Sequence, residues 1–339
     1  MSLARAIATG DLAELPSRRD EGWRWSDIRG LVRAIPPRSP VAGWFGHGPF
    51  DELNATWIEF ENGWEASILV AAGGDETWGV TFSADDAAGS HTNRLEIDVE
   101  EGGRLVLLEA YVGETSEYVV QTDLVINLGA RAHLERVVIA DDGEKGVSVS
   151  IADIKLGVGA VLNQTIVTTG AKRQRLETRV QHAGDGASAR LDGLYRLGAR
   201  RHGDITTVVN HQGPDGETEQ LTKGVVADQA RGVFQGLIEV ARGADGTAAR
   251  MGHHALLLSD RAEVDAKPEL EIYADDVVCS HGSSIGALDE EALFYARQRG
   301  IPEAEARAML TGAFLGEVID RIGHEGAREA VRAFLAVAP

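Results

Sequence analysis

The residues with the clearest chemical potential are Cys279 and His281, in the run Cys279-Ser-His-Gly282. Thiolate and imidazole both ligate soft or borderline metals such as iron and zinc. If the chain around Val278 is a strand, residues two apart share a face, so Cys279 and His281 present their groups together. His253 and His254 stand about one strand repeat upstream and are placed to approach them. Three tasks fit these groups. His253, Cys279 and His281 suit a zinc or cluster site. A Cys–His nucleophile could be oriented by Asp275 or Asp276. A lone cysteine also serves as a small buried hydrophobe, with the two aspartates facing solvent. Residue types alone leave all three open.

Other chemistry is hard to place. There is no GxxxxGK[ST] phosphate loop, no HExxH and no GxSxG. Gly157-Val-Gly159 falls between strand patterns and lacks the third glycine of a dinucleotide fingerprint. With one cysteine in the chain, neither an internal disulfide nor a paired-cysteine metal motif can form.

The elements that must position Cys279 and His281 are strands. Arg104–Glu109, Thr122–Asn127 and His133–Ile139 alternate apolar and polar residues, which is the strand period. A small residue opens a strand at Ala130, Ala160, Ala187, Ala230 and Ala262, with apolar positions after each. Most of these intervals are near 30 residues, a period that suits a β-helix whose coils bury their apolar faces by stacking. A β-sandwich or barrel also spaces its strands regularly, and periodicity does not separate them. The 40 glycines and nine prolines agree with many tight turns.

Helices are expected at both ends. Leu3, Ile7, Leu12 and Leu15 recur at loosely helical spacing, and Ser26 could cap a short helix carrying Ile28, Leu31 and Val32. Pro36, Pro37 and Pro40 then break the chain. Near the other end Asp289 caps a helix that stops at Gly300, and Pro302 opens the next. That helix carries an apolar stripe of Ala306, Leu310 and Phe314 beside Met309 and Ala313; a last helix holds Ala327, Ala330, Val331 and Phe334. The division is residues 1–40, an N-terminal helical region; 41–285, the β core; and 286–339, a C-terminal helical region. A net charge of −20 and a pI near 4.9 argue against nucleic acid and anionic lipid as partners. No signal-peptide core or membrane-length apolar run is evident, and one cysteine suits a reducing compartment, so a cytoplasmic location is expected.

Two stretches carry a family resemblance. Leu15-Pro-Ser-Arg-Arg-Asp-Glu-Gly-Trp-Arg-Trp-Ser-Asp-Ile28 is similar to the Pro-x-Arg-x-x-Glu-x-Trp-[Lys/Arg]-[Tyr/Trp]-[Ser/Thr]-x-Leu segment of the SufB/SufD family of iron–sulfur cluster assembly scaffolds. A longer match runs from Gly232-Val-Phe-Gln-Gly236 through Pro268–Ile272 and Ala274-Asp-Asp-Val277. It continues through Cys279-Ser-His-Gly282, Leu293-Phe-Tyr295 and Arg299-Gly-Ile301 to Ala313-Phe314. The resemblance implies a mainly β chain, a right-handed parallel β-helix flanked by helical regions. It implies a scaffold rather than an enzyme, working with a SufB-type subunit and a SufC-type ABC ATPase, with a homodimer open to the isolated chain. It implies a transient iron–sulfur cluster at most, and no stably bound cofactor. The chain's length and single cysteine resemble the SufD type. In that family the Cys-x-His segment lies where the two scaffold subunits meet, so the resemblance implies a role for Cys279 and His281 at that interface and as metal ligands. The ATPase-docking surface is implied for the helical tail, whose polar faces carry Glu290, Glu303, Glu305, Arg307 and Arg321; the same tail is placed to cap the β-helix. One departure stands out. Where the family reads Gln-Lys-Thr-x-x-x-Gln-x-Asn, this chain has Asp245-Gly-Thr-Ala-Ala-Arg-Met-Gly-His253 and keeps only Thr247. A stand-alone β-helix enzyme acting on a carbohydrate or acyl group is the alternative, though the chain is poor in the aromatics such enzymes present.

Overall fold

The computed structural model describes residues 2–39, 48–60, 63–84, 89–113 and 117–337. The strands are β1 (Thr56–Phe60), β2 (Glu65–Val70), β3 (Asp75–Ala84), β4 (Gly89–Val99), β5 (Arg104–Gly113), β6 (Tyr118–Leu128), β7 (His133–Asp141) and β8 (Val147–Leu156). There follow β9 (Val161–Thr168), β10 (Arg173–His182), β11 (Ser188–Leu197), β12 (His202–His211), β13 (Glu217–Val226), β14 (Arg231–Val240), β15 (Ala248–Leu257), β16 (Glu263–Ile272) and β17 (Val278–Gly286). Successive strands alternate between two parallel sheets, the odd ones in a nine-stranded sheet and the even ones in an eight-stranded sheet. Each coil of this β-helix is thus one odd and one even strand. Register partners lie about one coil apart, as Leu105 opposite Leu134 and Leu191 opposite Gln220. The sandwich and barrel are thereby excluded, since both would need antiparallel pairing.

The turns explain the period. The residue two before each odd strand from β3 to β15 has a positive φ: Gly73, Gly102, Arg131, Gly159, Gly186, Asp215 and Gly246. Glycine and aspartate tolerate this left-handed backbone, and arginine does so at a cost. The amide of each such residue reaches the turn of the next coil: Gly102 donates to Ala130, Gly159 to Asp185, Asp215 to Asp245 and Gly246 to Asp276. Corner positions just before the odd strands belong to Ala132, Ala160 and Ala187, all buried. Ala230 and Ala262 hold the matching corners of even strands. The apparent single repeat in the sequence therefore mixes two columns, which is why the step from Ala187 to Ala230 is longer than the others. Ala130 itself lies two residues early, and Ala132 takes its corner.

Three apolar layers hold the molecule together. The inner layer stacks Leu95, Leu124, Ile97, Ile126, Ile154, Leu134, Leu162 and Leu191 between the sheets. A second lies outside the odd sheet, where Leu108, Val137, Ile139, Val167 and Leu194 meet the C-terminal helices through Leu315, Val318, Ile319, Ile322 and Val331. A third lies outside the even sheet, where Val119, Val147 and Val149 meet Leu3, Ala6, Ile7, Leu15 and Ile28.

The N-terminal region is less helical than its spacing suggests. Only α1 (Leu3–Thr9) is an α-helix there, followed by single 3-10 turns at Leu12–Glu14 and Glu21–Trp23. Residues 26–35 form turns, because the Ser26 hydroxyl is buried as a donor to Asp204 and Asp27 closes a turn on the Gly30 amide. The segment lies strapped across the even sheet: Trp23 sits under the Arg175 guanidinium, and Lys267 pairs with Glu21 at 2.8 Å. Pro40 and the boundary drawn there lie outside the described residues.

At the other end are α2 (Glu290–Gln298), capped by Asp289, then α3 (Glu303–Ile319) and α4 (Glu325–Val337). Gly300 breaks the chain with φ +84°. The expected stripe on α3 is only partly buried. Ala306 is covered, but Met309 and Ala313 are exposed, and the buried contacts shift to Leu315, Val318 and Ile319. The reason is placement: α3 and α4 lie against the outer face of the odd sheet rather than across the end of the solenoid.

Candidate functional site at the open end of the solenoid

Cys279 and His281 lie on β17, the last strand of the odd sheet, which among the described residues pairs only with β15. Cys279 is opposite Ala249 and His281 opposite Met251. Those columns run back through Thr218, Ala189 and Leu162, and through Gln220, Leu191 and Gln164, all buried between the sheets. Both side chains therefore occupy inward positions, as the two-residue spacing predicts. Among the described residues no further coil stacks on them. Cys279 is half-buried against the inner core, and His281 is exposed. Burial pushes the Cys279 thiol upward, opposed by a backbone hydrogen bond from Ala249.

His253 and His254 behave differently from each other. His253 faces inward with Ser283, not His281, as its register partner, and its side chain is sealed. Its Nε2 meets the Tyr195 hydroxyl at 2.8 Å, its Nδ1 meets Ser283 Oγ at 3.0 Å, and its ring stacks on Phe234. Both nitrogens are committed, and burial drops its pKa to about 3. His254 is on the outer face, paired with Ser284 Oγ at 2.7 Å. Among the described residues no group of three or more His, Cys, Asp or Glu side chains could hold a metal. The zinc set of His253, Cys279 and His281 is accordingly not assembled within this chain. Asp275 and Asp276 are exposed in the turn before β17, and Asp276 contributes its carbonyl to the Gly246 amide.

The last coil is bare in other respects. Among the described residues β16 pairs only with β14, so two neighbouring strand edges end the solenoid. Such edges present unpaired backbone groups that invite another chain. Val278, at 77% exposure, and Ile272, Tyr273 and Ile285 surround them. The family departure falls one coil earlier. Met251 and His253 take inward positions in β15, and Thr247 survives because its hydroxyl closes the turn on the Ala244 carbonyl at 2.7 Å.

The five tail residues separate into two groups. Glu290, Glu303 and Glu305 are exposed; Glu303 pairs with Arg307 at 3.1 Å and with Arg297 at 3.5 Å. Arg321 instead reaches the sheet, 2.9 Å from Asp192 and 3.2 Å from Glu219. Asp192 is fully buried, and burial raises its pKa to about 6 against the pull of Arg321 and Arg190. Glu135 adds a second tie by accepting from the Gly323 and His324 amides ahead of α4. Sequence reasoning missed Asp192, Tyr195 and Ser283 because each gains meaning only from a register partner or a helix far away in the chain. The exposure of Phe294, Tyr295 and Met309 on α2 and α3 was also missed, because Met309 read as part of a buried stripe and Phe294 and Tyr295 only as part of the family match.

No helix among the described residues is long and apolar enough to cross a membrane. Residues 81–314 match the family model described as SUF system FeS cluster assembly, SufBD core domain. The iron-sulfur cluster assembly protein SufD of Escherichia coli (strain K12) is 33% identical over 241 residues, which cover 71% of this chain and 57% of that protein. An iron-sulfur cluster assembly SufBD family protein of Mycobacterium tuberculosis is 29% identical over 95% of this chain and 89% of its own length. A chloroplastic protein of Arabidopsis thaliana is 31% identical over 70% of this chain and 51% of its own. The alignment thus spans little more than half of the first and third of these relatives. With the matched segment covering most of the chain, including β17 and the start of the helical tail, the protein belongs to the SufB/SufD family.

Proposed function

We propose that the chain is a SufD-type scaffold subunit of an iron–sulfur cluster assembly complex, without catalytic activity of its own. In this reading it pairs through its open last coil with a longer, cysteine-bearing SufB-type subunit. A SufC-type ABC ATPase docks on its helical tail, and the work is done in the cytosol, where a lone thiol stays reduced. The observation that carries the reading is the bare end of the solenoid, where among the described residues no further coil stacks on the inward positions of Cys279, which is half-buried, and His281, which is exposed. A partner strand added to β17 would complete the coil and bring its own groups beside them. Without that partner, the same edge would accept a second copy of this chain.

His281 is the stronger ligand for iron arriving as cargo, since imidazole binds through a free lone pair while a thiol must first lose its proton. Burial works against that loss at Cys279. The ATPase docking is supported by Phe294, Tyr295 and Met309, which leave an apolar patch beside Glu290, Glu303, Glu305 and Arg307. The test is His281→Ala in the co-expressed complex. Subunit association is expected to persist, with stability of the isolated chain within about 0.5 kcal/mol because the site is exposed, while cluster formation falls sharply. Full cluster yield in an intact complex sinks the ligand role, and loss of association assigns His281 to packing.

A further inference from the structure

A second concave site lies far along the sheet from the open end and has the opposite electrostatic character from the rest of the chain. Seven of the 33 basic residues and five of the 53 acidic ones fall in residues 1–40, so this segment carries +2 within a protein of −20. Its arginines are not spread out. Arg18, Arg19, Arg29 and Arg33 converge with Arg173 of β10 around a cavity of about 620 Å³, with Ser17, Asp27, Gly30 and Leu31 completing the wall.

The cleft is built by the chain folding back on itself. The Ile28 and Arg29 amides donate to the Pro16 carbonyl at 3.3 and 2.9 Å, which clamps the 17–19 turn beside the 27–33 turn. Asp20 fixes Ser17 through its amide and hydroxyl, Asp27 holds the Gly30 amide at 2.8 Å, and Arg29 donates to the Ala13 carbonyl. Arg173 anchors the floor by donating to the Trp25 carbonyl at 3.1 Å, while its Nε is shut off from solvent with no hydrogen-bond partner. Among the described residues, Arg18, Arg19, Arg33 and Arg173 form no ion pair with any carboxylate. By contrast, Arg136, Arg175, Arg179, Arg231 and Arg321 all do.

Like charges gathered around one concavity raise the local potential and concentrate counter-ions there. Leaving Arg29 aside, the four guanidinium groups of Arg18, Arg19, Arg33 and Arg173 against the Asp27 carboxylate leave a net charge of +3 on the lining. One phosphate monoester supplies only about −1.5 to −2, so two linked phosphates come much closer to neutralising it. Guanidinium forks also match phosphate oxygens in a bidentate way. The volume is that of a small-molecule site rather than a protein interface. We infer that this arginine-lined cleft binds a diphosphate-bearing small molecule.

The experiment is calorimetric titration of the full chain with inorganic pyrophosphate, adenosine diphosphate and, at matched ionic strength, sulfate. Saturable pyrophosphate binding at least about tenfold tighter than sulfate is expected. Adenosine diphosphate binding more tightly than pyrophosphate identifies an esterified source, and equal or weaker binding identifies the free diphosphate. The double variant Arg18→Gln, Arg33→Gln changes two exposed side chains and should unfold at the same temperature while losing about tenfold or more in affinity. The inference is overturned by an absence of saturation up to about 10 mM pyrophosphate, by sulfate binding as tightly, or by unchanged affinity in the folded double variant. Retention of an acidic protein with no small-molecule binding overturns it as well, and reassigns the cleft to a protein partner.

Discussion

The middle coils and the last coil of this solenoid use the same strands and inward columns, yet their side chains lead opposite lives. In the middle, polar inward residues are sealed, and the cluster around Glu109 and Arg136 is mutually satisfied. Glu109 and Arg136, 0% and 2% exposed, are paired at 2.7 Å, with Tyr111, Ser150 and Gln164 completing the network. At the end, His281 and Ser283 occupy the columns of Arg136 and Glu109 but face solvent. A residue's position on a strand sets its direction, and only the next coil decides whether it is core or contact surface. The middle polar groups thus serve stability, Ser283 at the end still bonds His253, and the exposed His281 is available for partners.

The largest expression of this contrast should come from acid. Burial lowers the pKa of His182, His202 and His253 to about 3, and of His91 and His211 to about 4, from a usual 6.5. Each stays neutral in the fold while the unfolded chain takes up a proton below about pH 6.5. Their stabilisation is therefore intact above that pH and is lost as pH falls toward 3 to 4. Each contributes a slope of up to about 1.4 kcal/mol per pH unit. Asp192, raised to about 6, acts in the reverse sense, since the fold then binds its proton before the unfolded chain does. The histidines outnumber it, so urea unfolding should show stability falling by several kcal/mol, in order of magnitude, between pH 6.5 and 4. A flat profile would contradict the sealed character of the middle coils.

The single-residue counterpart is Arg136→Ala, which leaves Glu109 buried without its partner. A loss of about 3–5 kcal/mol in denaturant unfolding is expected. Replacing both, Glu109→Leu with Arg136→Met, should recover most of it, because an apolar pair has no charge to desolvate. If the single variant cost under about 1 kcal/mol, water would have to reach Glu109, and the middle lumen would be as open as the end.

How much of this was legible in the sequence follows from the same distinction. Local signals were readable: alternation in Arg104–Glu109, the Asp289 cap, Gly300, and the shared face of Cys279 and His281. The repeat was visible, but its two interleaved columns were not, since alanine corners of odd and even strands look alike in a one-dimensional reading. The clearer marker was the left-handed residue before the odd strands β3 to β15, obscured where arginine or aspartate replaces glycine at Arg131 and Asp215. Ser26 read as a helix cap because its partner, Asp204, lies across the molecule. For the same reason nothing local shows that His253 is committed to Tyr195 and Ser283, or that the 17–19 and 27–33 turns share one cleft with Arg173.

Arg321 tests where the boundary between structure and contact runs in the tail. The family resemblance assigns it to ATPase docking together with Glu290, Glu303, Glu305 and Arg307, whereas its geometry ties it to the buried Asp192 and to Glu219. Its own carbonyl also accepts from Arg190 at 2.7 Å, so the turn between α3 and α4 is held to β11 from both sides. Arg321→Ala leaves Asp192 facing Arg190 alone, and protonation of a carboxyl already raised to about 6 limits the cost. A loss of about 1–3 kcal/mol follows, smaller than for Arg136. Near pH 5 the loss should shrink, because Asp192 is then largely neutral and has less need of a cation. Arg307→Ala, on the exposed part of α3, should change stability by less than about 0.5 kcal/mol. Unfolding curves for both variants at pH 7.5 and pH 5, beside their ATPase affinities, separate the two roles. An Arg321 variant with unchanged stability but weakened docking would move this residue from the middle of the molecule to its contact surface.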